Sequence, residues 1–275
     1  MKTIYALLLL LCLTCSLTIG KPIIPVSANN VIDTLIDVGG HRLHFNVRAG
    51  TYPAIVFENG GGDNLTVWDG ILDSLYKSTG ATLITYDRAG FGTSELDSNQ
   101  ISLTQQVISL ENGLRALNIE KSYFLVAHSL GGYFSTIFAK RNYKAVKGAV
   151  LIDANHVEFW TDKQTKQYWA QYEPLKQKFK TEMVGVYWLM KNAQQNAIEM
   201  RKISFPSSVP VIDMLAETPP WQSEDELTRW RLAHKRFVAQ APNRKLIHIK
   251  GSGHYIMKDK PNQVIQIISK MYKED

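Results

Sequence analysis

The chain has 275 residues, enough for one large domain or two small ones, and no Pro/Gly/Ser-rich linker, charge block or internal repeat divides it. Its formal charge of +6 is scattered, with no basic stripe interleaved with aromatics, so nucleic acid is not an expected partner. The two cysteines, Cys12 and Cys15, both lie in an N-terminal apolar segment, which removes disulfides, Cys-ligated metal and a cysteine nucleophile from the remainder of the chain.

Met1-Lys2-Thr3 gives a short positive start and residues 4–19 are almost wholly apolar. This pattern predicts a signal peptide over residues 1–28, cleaved after Gly20 or after Ala28, with the mature domain spanning 29–275. The apolar stretch is shorter than the roughly 20 residues that cross a bilayer, and Lys21, Pro22 and Pro25 follow it at once. Lipid attachment is disfavoured because Thr14 before Cys15 and Leu11 before Cys12 replace the small residue that such a signal requires. The expectation is an exported protein, periplasmic or extracellular, with no stable membrane insertion once the leader is removed.

Residues 31–38 and 41–47 alternate apolar and polar positions around Gly39-Gly40, the pattern of a hairpin of half-buried strands. The texture then changes. Residues 54–57, 81–86, 123–127 and 149–152 are continuous apolar runs, as expected of strands covered on both faces. Between them, residues 66–79 place Trp68, Ile71, Leu72 and Leu75 on one helical face, and residues 103–117 do the same with Val107, Leu110, Leu114 and Leu117. The last third repeats the unit with a strand at 209–215, a helix at 223–240, a strand at 246–249 and a helix at 261–272. This alternation predicts an α/β fold with a mostly parallel eight-stranded sheet flanked by helices, the first hairpin forming its antiparallel edge. Residues 155–208 break the alternation with Phe159, Trp160, Tyr168, Tyr172, Tyr187 and Trp188 among many Lys and Gln residues. They predict a helical cap inserted after the sixth strand, whose aromatics either line an apolar pocket or pack the cap onto the body.

Ser129, in Ala127-His128-Ser129-Leu130-Gly131-Gly132, follows an apolar strand and precedes a helix, a turn that exposes the hydroxyl above the sheet and sets a helix N-terminus beneath it. A serine hydroxyl is a weak nucleophile at neutral pH and needs a base, and the base needs an orienting group. His254, in the glycine-rich loop after the last strand, is the expected base; His41, His44, His234 and His248 fall within strand or helix patterns, and His156 lies at the start of the cap. For the acid, Asp153 at the end of the sixth strand is preferred over Glu217 after the seventh, with Asp213 and Asp225 as outsiders. Asp213 sits inside an apolar strand and therefore requires a buried partner, which the sequence does not identify. Glu58-Asn59-Gly60-Gly61-Gly62-Asp63 follows the third strand, and its glycines allow backbone N–H groups to face a developing oxyanion; the expected donors are Leu130 and Gly61. A phosphate loop is excluded because no GK[ST] follows and no GxGxxG is complete.

With these residues in place the chain resembles the α/β-hydrolase superfamily over residues 31–275. The matching segments are Glu58-Asn59-Gly60-Gly61 with Trp68 downstream, Asp87-Arg88-Ala89-Gly90-Phe91-Gly92-Thr93-Ser94, His128-Ser129-Leu130-Gly131-Gly132, Asp153-Ala154-Asn155-His156, and Ser252-Gly253-His254 before Pro261. The resemblance implies hydrolysis through an acyl-enzyme with no cofactor or metal, and a structural role for Asp87 and Arg88 in buttressing the oxyanion loop. The chain departs from the usual pattern at Ala127, where GxSxG has its first glycine, and at the acid position after strand seven. Ser129 argues against the related enzymes with an aspartate nucleophile, and Gly60-Gly61-Gly62-Asp63 argues against the GGPG loop of proline iminopeptidases. The expected function is that of a serine hydrolase acting on a small to medium carboxylic ester, or an amide. The alternatives are a non-catalytic ligand-binding protein on the same fold and a cofactor-free haloperoxidase or C–C bond hydrolase.

Overall fold

A computed structural model describes residues 31–274; the expected signal peptide and both of its candidate cleavage sites lie outside the described residues. Strands β1 (Val31–Asp37) and β2 (Arg42–Arg48) form an antiparallel hairpin, and Gly39 and Gly40 both take φ near +102°, the left-handed region that glycine enters without strain. Strands β3 (Thr51–Glu58), β4 (Ala81–Tyr86), β5 (Tyr123–His128), β6 (Val146–Ile152), β7 (Val211–Thr218) and β8 (Arg244–Gly253) complete one sheet in the order β1-β2-β4-β3-β5-β6-β7-β8. Only the pairings made by β2 are antiparallel. Every residue of β4 and β5 is buried, which is why these strands read as unbroken apolar runs.

Helices cover both faces. On one face α1 (Asp69–Thr79) is entered through a single 3-10 turn, Leu65–Trp68, opened by the Asn64 side chain, and it ends at Gly80 with φ +65°. On the other lie α2 (Leu103–Ala116), capped by Ser102, and α3 (Gly131–Arg141), which starts directly after the serine turn. Between β6 and β7 the chain forms the helical cap: α4 (Asp162–Tyr172), α5 (Lys176–Glu182), α6 (Val184–Lys191) and α7 (Ala193–Met200). Helix α8 (Glu224–Ala239) opens with a reciprocal Ser223–Glu226 capping box and three acidic residues in its first turn. The short α9 (Ile256–Asp259) and α10 (Pro261–Glu274) close the chain. Two large buried clusters follow from this layering, one under α2 and α3 and the other under α1, α9 and α10, and a small third, of Phe159, Leu215, Trp230 and Ala233, lies under α8. Among the described residues no helix is long and apolar enough to cross a membrane.

The strands lie where the apolar runs predict them, and the departures are at their ends. β8 extends to Gly253 and so delivers His254 directly from the sheet, although its outer positions are polar. The cap aromatics pack against one another and against the body: Phe159 contacts Trp160 within the cap and Trp221 and Trp230 outside it at 4.5 to 5.1 Å between ring centroids, and only 1% of its surface is exposed. The cap also seats on the body at glycines. Gly185 of α6 donates its N–H to the Gly90 carbonyl at 3.0 Å, and a Cβ on Gly185 would lie 2.3 Å from the Phe91 ring.

Gly131 and Gly132 let α3 start against the sheet. A Cβ on Gly131 would lie 2.4 Å from the Glu58 carbonyl oxygen, and one on Gly132 would lie 2.6 Å from that of Asn155. Both obstacles are backbone, which cannot rotate away. Gly131→Ala is therefore expected to lower the melting temperature by several degrees or to prevent folding, an overpacking penalty of about 1–3 kcal/mol or more. A melt that matches the parent would show that β3 and α3 separate more easily than this packing implies.

Candidate active site

The turn after β5 places Ser129 at φ +53°, an uncommon conformation for a residue with a side chain. Its surroundings hold it there: its N–H donates to the Ile152 carbonyl at 3.2 Å, and its carbonyl accepts from Gly132 at 3.0 Å and Asn155 at 2.7 Å. Ser129 is partly exposed while His128 before it is fully buried. Ala127 is accommodated where the family pattern has glycine because it occupies a regular strand position, paired with Glu58 on one side and Leu151 on the other.

Asp153 leaves β6 with φ +42° and is completely buried. Its Oδ2 accepts from His254 Nδ1 at 2.7 Å, and its Oδ1 accepts from the Ala216 N–H at 3.1 Å and Trp230 Nε1 at 3.0 Å. Both carboxylate oxygens are thereby engaged as acceptors. The bond fixes the proton of His254 on Nδ1 and leaves Nε2 as the basic nitrogen. Glu217 is not part of this contact. It is exposed, and its Oε2 accepts from the Gly251 N–H at 2.8 Å, which braces the loop that carries His254. Glu217→Gln should accordingly leave ester turnover within about threefold of the parent, because an amide oxygen can accept the same bond. A loss above about 100-fold in steady-state assays would move the acid role away from Asp153.

The glycine loop is built from the residues that the sequence marks out around it. Asn59 donates from Nδ2 to the Tyr86 carbonyl at 2.8 Å and accepts from Trp68 Nε1 at 2.6 Å, which explains the tryptophan downstream. Arg88, 1% exposed, donates to the Asn59 carbonyl at 2.7 Å and also to the Gly60 carbonyl. In a trans peptide the C=O and the following N–H point in opposite directions. Holding the Gly60 carbonyl on Arg88 therefore turns the Gly61 N–H away from the arginine. Gly61 and Leu130, the two expected donors, adjoin each other, since a Cβ on Gly61 would lie 3.4 Å from Leu130 Cδ2. Asp87 fixes the same region by accepting from the N–H groups of Leu65 at 2.8 Å and Thr93 at 3.1 Å. Gly92 leaves room for that carboxylate, for a Cβ there would lie 1.9 Å from Asp87 Oδ2.

Two further residues support the site: His128, which adjoins Ser129 in the sequence and is expected to shape the pocket or pack and not to act as base, and Trp230, which the sequence does not mark. His128 Nε2 donates to the His254 carbonyl at 3.1 Å, and its ring packs against those of His254 and Tyr255 at 4.5 and 4.7 Å. Burial lowers the His128 pKa, so the ring is neutral near pH 7. Trp230 reads as one apolar position of a helix, yet it supports the carboxylate of Asp153.

Beneath the loop, Glu58 is 1% exposed, accepts from Tyr86 Oη at 2.9 and 3.0 Å, and lies 3.7 Å from Arg88. Burial pushes its pKa up to about 7, against the opposing pull of Arg88 and Tyr86. From the ordinary value of 4.5 up to about 7 the unfolded chain has released a proton that the folded chain retains, so this group lowers stability as pH rises through that window. Glu58→Gln removes the effect. The stability of the variant relative to the parent is expected to rise between pH 4 and pH 8 by up to about 3 kcal/mol, measured by urea unfolding at each pH. A difference that does not change with pH would place the Glu58 titration elsewhere.

Comparison with known proteins bears on the fold. Residues 53–184 match the family described as the α/β hydrolase fold. The chain is similar to the uncharacterized protein YqjL of Bacillus subtilis, with 32% identity over 117 residues, 42% of this chain and 46% of that protein, so the match spans about half the length of this curated relative. Among solved structures, the enol-lactonase from Burkholderia xenovorans superimposes with a TM-score of 0.69 at 14% identity, covering 87% of this chain and 100% of the other. The thermophilic esterase from Thermogutta terrifontis superimposes with a TM-score of 0.64 at 15% identity, covering 89% and 98%. The chain has the α/β-hydrolase fold, and its residues 53–184 carry the match to the family of that name.

Proposed function

We propose that this chain is a serine hydrolase that cleaves a carboxylic ester of small to medium size through an acyl-enzyme. The observation that carries the reading is the 2.7 Å bond between Asp153 and His254 Nδ1 beside a strained serine turn. Ser129 Oγ attacks the carbonyl carbon as His254 Nε2 takes its proton. The N–H groups of Leu130 and Gly61 stabilise the oxyanion, and the imidazolium, held by Asp153, returns the proton to the leaving alcohol. Water then repeats the cycle on the acyl-serine and releases the acid. The family resemblance, and the esterase and lactonase among the structural relatives, favour an ester over an amide. Export, expected from residues 1–28, belongs to the same proposal and places the substrate outside the cytoplasm.

A panel of p-nitrophenyl esters of increasing acyl length tests the reading on the protein lacking residues 1–28. The expected result is saturable turnover with one optimum of chain length, set by the capped site. No turnover on any acyl length, with a folded protein, would contradict it.

A further inference from the structure

The buried partner that Asp213 requires is a pair of histidines from different elements, and the three form a cluster outside the hydrolase site. Asp213 lies in β7, His156 in the segment after β6, and His234 in α8, all buried, with Asp213 and His234 completely so. Asp213 Oδ2 is 2.9 Å from His156 Nε2 and 2.8 Å from His234 Nδ1, and the two nitrogens are 3.2 Å apart. The imidazole planes cross at 88°. As hydrogen bonds, this arrangement crowds both imidazoles onto one oxygen. Asp213 Oδ1, also buried, has no hydrogen-bond partner among the described residues. Arg244 does not pair with it and donates instead to the carbonyls of Phe237 at 2.9 Å and Phe205 at 2.8 Å.

These distances have a second meaning. Donor atoms about 2.1 Å from one ion and at right angles to each other lie about 3.0 Å apart, the edge of an octahedral face. The three measured separations lie on either side of that value. We propose that His156, Asp213 and His234 form a binding site for a borderline divalent transition-metal ion such as Zn²⁺, Co²⁺ or Ni²⁺. Two imidazoles and one carboxylate suit such ions and not Mg²⁺ or Ca²⁺, which take oxygen donors. Asp213 Oδ1 is available to make the carboxylate bidentate. His234 Nε2, which also lacks a partner among the described residues, is unpaired with or without the ion.

Of the three ligands, His156 is the one that faces a groove. His156, Ala233 and Phe237 line a groove of about 590 Å³ that Ser129, Asp153 and His254 do not border. The ion would join the segment after β6, strand β7 and helix α8, and α8 also carries Trp230, which supports Asp153. Its role would be to stiffen that support, not to take part in ester cleavage. The sequence carries no signal for the site, because the ligands are separated by 57 and 21 residues and belong to no ligand-spacing motif.

Titration of the full chain, stripped with a chelator, with Co²⁺ alone tests the site without reference to hydrolysis. The expected result is one equivalent bound, visible as weak d–d absorption, and a raised melting temperature with Zn²⁺. His156→Gln, altered at the margin of the groove, should weaken Co²⁺ binding at least about tenfold, and Asp213→Asn should weaken it further. No saturable binding to the parent chain below about 1 mM would overturn the proposal, and so would unchanged affinity in His156→Gln; the parent titration decides the matter even if Asp213→Asn fails to fold. Esterase activity without metal binding would refute the metal site alone, whereas metal binding without turnover would refute the proposed function alone.

Discussion

Ser129→Ala is expected to lower ester turnover by at least about 10³-fold while the melting temperature stays within a few degrees of the parent. Both parts follow from the turn. The hydroxyl is the group that the proposed chemistry uses, whereas the backbone bonds from Ile152, Gly132 and Asn155 hold the turn whichever small side chain is present. Alanine at φ +53° carries the same backbone strain as serine. A folded variant that kept a tenth or more of the parent turnover would remove Ser129 from the nucleophile role. The residual rate, if measurable, would report what the oxyanion donors and binding contribute alone.

Asp153→Asn is expected to lower kcat by about 10⁴-fold with a smaller effect on KM. Asparagine tolerates φ +42° as aspartate does, so the chain leaving β6 keeps its course, and an amide oxygen can still accept from Ala216 and Trp230. What changes is the group that faces His254. An amide NH₂ beside Nδ1 forces the imidazole to carry its proton on Nε2, the nitrogen that must accept one from the serine. The loss should therefore fall on the chemical step. Turnover within about tenfold of the parent would mean that Asp153 is a structural acceptor only.

The contrast between Asp153 and Glu217 shows how far the sequence could be read. The runs at 81–86 and 123–127 have one explanation, a strand buried on both faces, and their helices follow from apolar spacing, so the sheet was legible nearly strand by strand. The serine turn and the final histidine loop were legible because their glycines answer to specific backbone demands. The partner of His254 was open to two readings, since Asp153 and Glu217 each stand at the end of a strand on the same edge of the sheet. Only the relative position of β6, β7 and β8 places Asp153 against the imidazole and sends Glu217 to Gly251. Contacts made across the fold left no local trace. Trp230 on Asp153 and the two histidines on Asp213 join residues 77, 57 and 21 positions apart, and no periodicity connects them. The demand for a partner was readable at Asp213, because a carboxylate in an apolar strand cannot stand alone; the identity of the partner was not.

The proposed serine-hydrolase function rests on one reactive hydroxyl, that of Ser129, and reaction with a fluorophosphonate followed by peptide mass spectrometry addresses it without knowledge of the substrate. The account predicts one equivalent of phosphonate on the peptide that contains Ser129, no labelling in Ser129→Ala, and much slower labelling in Asp153→Asn. Absence of labelling in the folded parent chain, or modification at a different serine, would contradict it.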